Sequence, residues 1–443
     1  MRRTILLLLP ALIFFTSILP LRGQEPILLL EKPDTKLEFH IEADSTSSGE
    51  ILVPLEEGKP PVKQLISGAA RYVYNERILP VDPKAAEVRT IRLYSKYDLK
   101  RSIGDVRQEI SLRPEVKRLV LLKKGTAKIP FSPDGPLSWG EIDLVRRDLL
   151  LPAFAQVCPT TPVKPGDTWT VDEKTTLEIS GLMELNKGSQ LTAKFENLVR
   201  SGTKEIATLS IKGTLLGQNE DGPSQQKLDI VLSIDVNKRF INFIEIKGIE
   251  NPLDDKGKSQ GTIEGKFTLT RTIENSPIFT DAKLSLLKLE PDDENTLLLS
   301  EDEIPGIRFI HSRRWRLGRT TGRQITLDEL GGRGGILLTL ETADRVPTAR
   351  AFLEEAKKEL QDRKAKILLE GKIEKINDQL ERFTLDTEIS DRKIRLHYYL
   401  IRQANGGATL VASCSSDDKT GLGAEVEKIA KSFTITKKIT GKK

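Results

Sequence analysis

The side chains best suited to catalysis or metal binding are few in this 443-residue chain: three histidines, His40, His311 and His397, and two cysteines, Cys158 and Cys414. Metal sites read from sequence depend on ligand spacings such as HExxH or CxxC. Neither occurs, and the histidines stand far apart, so each is expected to be a surface or hydrogen-bonded residue. A thiol nucleophile needs a base to take its proton. No histidine is near Cys158, which lies between Val157 and Pro159, so a structural role is expected. A Cys158–Cys414 disulfide would have to join two domains, and two unpaired buried thiols are the simpler expectation. Serine hydrolysis lacks its GxSxG elbow. The glycine-rich run Gly331-Gly332-Arg333-Gly334-Gly335 lacks the Lys-Ser/Thr of a phosphate loop and opens a strand pattern, so it reads as a hairpin. The chain is therefore expected to be no enzyme, with no cofactor and no metal.

Charge offers one candidate surface. Arg308, Arg313, Arg314, Arg316, Arg319, Arg323 and Arg333 crowd one stretch. Within it, Arg308, Arg314, Arg316, Arg319 and Arg323 are the candidate contacts for an anionic partner, such as an acidic protein or a phosphate-bearing polymer. The acidic segment next door would cover that face equally well, and a solvated sheet face is the simpler expectation. A net charge of +5 is small for this length and argues against a nucleic-acid partner.

The elements that would position these residues follow from patterning. Met1 to Gln24 opens with Arg2 and Arg3, continues through an apolar run to Leu19 and offers Gly23 before a cut. It reads as a signal peptide, 1–23, and predicts export to a periplasmic or extracellular space. The run is shorter than the about 20 residues of a spanning helix, so membrane contact is expected only through this segment. From 24 to 274 the period is two: Leu37, Phe39, Ile41; then Leu228 to Val236 on even numbers; then Ile263, Gly265, Phe267, Leu269. Turn signals at Ser201-Gly202 and Asn219 to Pro223 make neighbouring strands antiparallel. One helix interrupts them, with Ser138 and Glu141 spaced as a capping box and Pro152 as its stop. A large curved antiparallel sheet with a covering helix is expected. Residues 275–302 carry Pro277, Pro291 and the acidic runs PDDEN and SEDE, which predict an exposed linker. Beyond it, 303–443 mixes short strands with two helices, one capped by Thr348 and one bearing Leu422, Val426, Ile429 and Phe433. The whole reads as α+β.

Three stretches, IPGIRFIHSRRWRL, RLHYYLIRQANGGATLVASCSS and GAEVEKIAKSFTI, give residues from about Glu303 to Ile435 a resemblance to the PsbP-like family, named for an extrinsic photosystem subunit. The resemblance implies an α+β sandwich of two helices on an antiparallel sheet, and relatives that act mostly by binding other proteins. It covers core positions only, so no functional residue carries over. The turn PVKPGDTW, Pro162 to Trp169, is similar to one in uncharacterised secreted bacterial β-proteins, whose architecture resembles the half-barrels of LolA-type lipoprotein carriers.

The expectation for function is a secreted, non-catalytic binding or scaffold protein with an unknown protein partner. The alternative is a carrier of an apolar or lipid ligand in the curved N-terminal sheet. A continuous apolar cavity in that sheet would favour the carrier; a filled core would favour the scaffold.

Overall fold

The computed structural model describes residues 25–54, 60–81, 87–125, 127–146, 148–389 and 391–440, with the export signal expected at 1–23 lying outside them. The fold is α+β, dominated by antiparallel sheet. Period-two patterning becomes long strands: β1 (Glu38–Val53), β2 (Val62–Ile78), β3 (Glu87–Ile103) and β4 (Val106–Ser111). After these come β5 (Arg118–Lys124), β6 (Ala127–Phe131), β7 (Leu137–Ser138), β8 (Thr168–Thr170) and β9 (Glu184–Leu185). The meander β10 (Thr192–Ser201), β11 (Lys204–Asn219), β12 (Gly222–Asp235), β13 (Phe240–Pro252) and β14 (Gly261–Ile273) follows. All but β7 join one thirteen-stranded sheet, in the order β6-β5-β3-β2-β1-β14-β13-β12-β11-β10-β8, with β4 on β3 and β9 on β11. Leu119 and Leu121 from one end of this sheet share a core with Phe195 and Ile211 from the other, so the sheet curls around its inner face.

Helix α1 (Trp139–Arg146), a 3-10 helix (Leu151–Val157) and helix α2 (Glu173–Ser180) pack on that face. The capping box at α1 forms, with Glu141 N donating to Ser138 Oγ (3.2 Å) and Ser138 N to the Glu141 carboxylate (2.8 Å). Sequence patterning predicted one covering helix and missed α2. It is two turns long and carries the β-branched pair Thr175-Thr176, so its propensity is weak. Its ends are nonetheless well defined, by Asp172 as N-cap and Gly181 at φ 70° as C-cap.

The segment 275–302 is not the exposed linker expected. Phe279 and Leu284, in and beside the short helix α3 (Asp281–Leu284), are buried against Leu79, Ile91, Val120 and Phe131 on the outer face of the sheet. Arg77 pairs with Asp281 and Arg89 with Glu290, so the acidic residues neutralise cations of that face. The segment ends in β15 (Leu298–Asp302), which runs parallel to β7 and antiparallel to β16 (Ile307–His311). Two faces of one sheet region are thus apolar, and the connector covers the outer one.

The C-terminal sheet holds β17 (Trp315–Thr321), β18 (Gln324–Glu329), β19 (Gly334–Glu341), β20 (Lys366–Glu370), β21 (Glu374–Asn377), β22 (Leu380–Ile389), β23 (Arg392–Gln403) and β24 (Gly406–Ser415). Helix α4 (Ala349–Asp362) packs Leu353, Ala356 and Leu360 on Phe383 and Tyr398. Helix α5 (Leu422–Ser432) covers the opposite face, where Trp315 and Phe433 share one core. A last strand, β25 (Thr434–Ile435), pairs with β16. Arg313 donates to the carbonyls of Thr296 and Pro130 and so ties the two regions together. Among the described residues no helix is long and apolar enough to cross a membrane.

Candidate functional site

Three charged residues fall in phase with the apolar stripes of the N-terminal sheet. Glu76 follows Tyr72 and Tyr74 on β2, Arg92 precedes Tyr94 on β3, and Arg271 follows Leu269 on β14, so all three point inward. Arg92 donates to Glu76 (2.8 Å) and to Asp148 (3.1 Å), whose carboxylate also accepts from the Tyr94 and Tyr97 hydroxyls at 2.5 and 2.6 Å. Arg271 donates to Glu31 (3.0 Å), lies 3.6 Å from Glu76 and stacks 3.8 Å over the Phe39 ring. Every member of this chain is buried. Burial pushes the Glu31 carboxyl up to about 7 against the opposing pull of Arg271, and burial likewise raises Asp148. Closed to solvent, the network fixes how helices and sheet fit together and offers no seat for a ligand.

Further along the same strands the inner face changes. Beyond Ala43, Tyr72, Tyr97 and Leu269, no inner-face residue of β1 to β4, β13 or β14 is fully buried. The register lays three rows across the strands. The first, Ile246, Phe267, Ser45, Ala70, Leu99 and Ile110, leans on the core. The next is Gly248, Gly265, Ser47, Gly68, Arg101 and Gln108, and the outermost is Glu250, Ile263, Gly49, Ile66, Ile103 and Val106. The middle row is a trough. A Cβ on Gly265 would meet no side chain within 4 Å, and one on Gly68 only the Ser47 hydroxyl. At the trough's end Arg101 donates from Nε to Gln108 Oε1 (2.6 Å). Helix α1 begins beside Ile110, with Trp139 exposed.

A second concavity marks where the two ends of the sheet approach. Lys123 and Lys128 of the β5–β6 hairpin pair with Glu178 of α2, and Arg146 of α1 forms a two-pronged pair with Glu220 in the β11–β12 turn. A cleft of about 790 Å³ remains there, with Lys123, Lys128 and Lys174 facing Glu220, Asp221 and Glu250. Its charges balance, and most are spent on one another.

The arginines expected to form one anionic-partner surface are dispersed. Arg308 is exposed on β16, in the four-stranded sheet with β7, β15 and β25, whereas Arg316 is exposed on β17, in the eight-stranded C-terminal sheet. Arg314 pairs with Glu425 (2.8 Å) and Glu329 (3.5 Å), and Arg323 donates to the Thr440 carbonyl (2.9 Å). The Arg319 side chain lies outside the described residues. Cys158 and Cys414 are free and buried, and burial pushes both thiols up to about 12, far from a ready thiolate. His40 bonds Asn75 (3.1 Å), His311 bonds Ser300 (3.0 Å), and His397 lies apart on β23. The glycine run joins β18 to β19 as a hairpin.

Sequence reasoning missed both the buried network and the trough. The signal for the first was present as charges in phase with tyrosines. The second needed the register of strands distant in sequence.

No family model matches the chain, and no curated protein matches it in sequence. Among solved structures, cyanobacterial PsbP from Synechocystis is 14% identical with a TM-score of 0.26, covering 32% of this chain and 92% of that one. The Ran-binding protein Mog1p of Saccharomyces cerevisiae is 8% identical at TM-score 0.25, covering 32% and 96%. Lipovitellin is 10% identical at TM-score 0.32, covering 57% of this chain and 26% of its own. Likeness at these levels carries no functional argument.

Proposed function

We propose that this chain is an exported, non-catalytic binding protein that seats an apolar ligand on the uncovered part of the inner sheet face. One observation supports the reading. The alternation that buries Phe39, Ile41 and Leu269 continues for several residues as Ile66, Leu99, Ile103, Ile110, Ile263 and Phe267, and none of these is buried. Ile103 is exposed and the others are half-buried, a partly open apolar strip continuous with the core, and such a strip is a candidate interaction site. The enclosed part of the sheet is filled by its own tyrosines and helices, so a ligand inside that core has no room. The reading therefore keeps the carrier's apolar ligand and moves it from an enclosed cavity to an open trough.

Titration with the neutral apolar dye Nile red tests it. Saturable binding near one dye per chain is expected, with Ile66→Asp and Ile263→Asp each abolishing it while the melting temperature holds. Absence of saturable binding, or binding unchanged in both variants, contradicts the proposal.

A further inference from the structure

Register and charge narrow the ligand class, on the premise of the apolar seat just proposed. We infer that the trough takes a single-chain fatty carboxylate, with the acyl chain across the strands and the carboxylate on Arg101. Three strand gaps separate Arg101 from Gly265, beyond which the Leu228 side chain leans over Gly248, so with strands about 4.8 Å apart the open trough is roughly 14 Å long. A bilayer core about 30 Å thick is two chains deep, which makes one acyl chain about 15 Å and a match to this length. Gly265, Ser47 and Gly68 form one low row between Phe267 and Leu99 on one side and Ile263, Ile66 and Ile103 on the other, which leaves room for one chain. Gly68 and Gly265 have no backbone reason to be glycine, since neither adopts a positive φ. Glycine inside a strand marks close approach of a ligand or another backbone.

The head-group assignment rests on Arg101. It is half-buried, and among the described residues no carboxylate pairs with it. Gln108 occupies Nε, which leaves the terminal N–H groups of the guanidinium for a two-pronged bond to a carboxylate. At the far end Glu250 accepts from Asn219 (3.0 Å) and Ser224 (2.7 Å) and is already held. The trough thus has one cationic end and one acidic end, and an anionic head is directed to Arg101.

Isothermal titration of the full mature chain with palmitate and with hexadecanol tests the assignment. Palmitate should bind roughly 10- to 100-fold tighter, the worth of one charge-assisted pair. Arg101→Gln should erase that difference and leave hexadecanol unchanged, while Gly265→Leu should block both with its melting temperature kept. Equal affinities in the parent chain, or palmitate unaffected by Arg101→Gln, overturn the head-group assignment even where Nile red still binds. Normal palmitate binding by Gly265→Leu overturns the trough, and tighter binding of dipalmitoyl phosphatidic acid overturns the single chain. Failure of both amphiphiles and of Nile red removes the underlying reading instead.

Discussion

Toward Phe39, Tyr74 and Arg271 the inner face of the N-terminal sheet carries rings and paired charges beneath helices. A few residues along the same strands it carries Ser47, Gly68 and Gly265, and none of them is buried. On β1, β2 and β14 one backbone alternation runs through both parts, whereas β3 changes phase at a bulge beside Ser95, and the helices cover only the first part. The covered part holds the fold together: its aromatic residues and ion pairs have value only when enclosed. The uncovered part gives stability away, since a strand glycine costs roughly 0.5–1 kcal/mol relative to alanine. Gly68 and Gly265 stand on this face with neither a positive φ nor a close backbone to require glycine, whereas a Cβ on Gly49 would run into the Thr262 carbonyl and one on Gly248 would press on the Leu228 side chain. Packing accounts for the first part, and the ligand seat proposed above would account for Gly68 and Gly265 in the second.

The comparison breaks most visibly at the buried network. Glu76→Ala leaves Arg92 and Arg271 without their shared carboxylate, and removing one partner of a buried pair costs about 3–5 kcal/mol. Denaturant unfolding should show that loss, and a change below about 1 kcal/mol would mean that the network is not closed to water.

A slightly smaller effect is expected from pH. The Glu31 carboxyl is raised in the folded state from an ordinary 4.5 to about 7, chiefly by burial. The folded chain therefore holds this proton more tightly than the unfolded one. Its contribution is complete below about pH 4.5 and is lost as pH rises towards 7, a fall of up to about 3 kcal/mol. Unfolding measured across that window should show the decline, and Glu31→Gln should remove it. An identical slope in both proteins would assign the dependence elsewhere.

The smallest effect belongs to the trough. Gly265→Ala puts a methyl into open space on a strand, so stability should hold or rise by about 0.5–1 kcal/mol. A loss above about 1 kcal/mol would show that the site is packed and not open.

Much of this was legible in the sequence, and the rest was hidden for physical reasons. The stripes at Leu228–Val236 and Ile263–Leu269 became β12 and β14 because a half-buried strand imposes period two on its own residues. The α1 capping box and the shared core of Trp315 and Phe433 were equally local or nearly so. The connector was misread because its prolines and acids resemble those of a tether. Phe279 and Leu284 find their partners on β3, β5 and β6, some 150 residues or more earlier, and local patterning does not register such contacts. Gly265 stood within its stripe as an unremarked exception. It became part of a trough only when β1 paired with β14 on one side and β2 on the other, placing Ser47 between Gly265 and Gly68. Arg308, Arg314, Arg316 and Arg323 stand close in sequence, yet they fall on different sheets or bond to local carboxylates and a carbonyl.

The most direct test of the account is photolabelling of the chain with a long-chain fatty acid carrying a mid-chain diazirine, followed by mapping of the modified peptides. The trough predicts saturable labelling, displaced by palmitate, confined to residues 45–49, 66–70, 99–103 and 263–267. Labelling concentrated in the C-terminal sheet, or in the 790 Å³ cleft around Lys123 and Glu178, would contradict it.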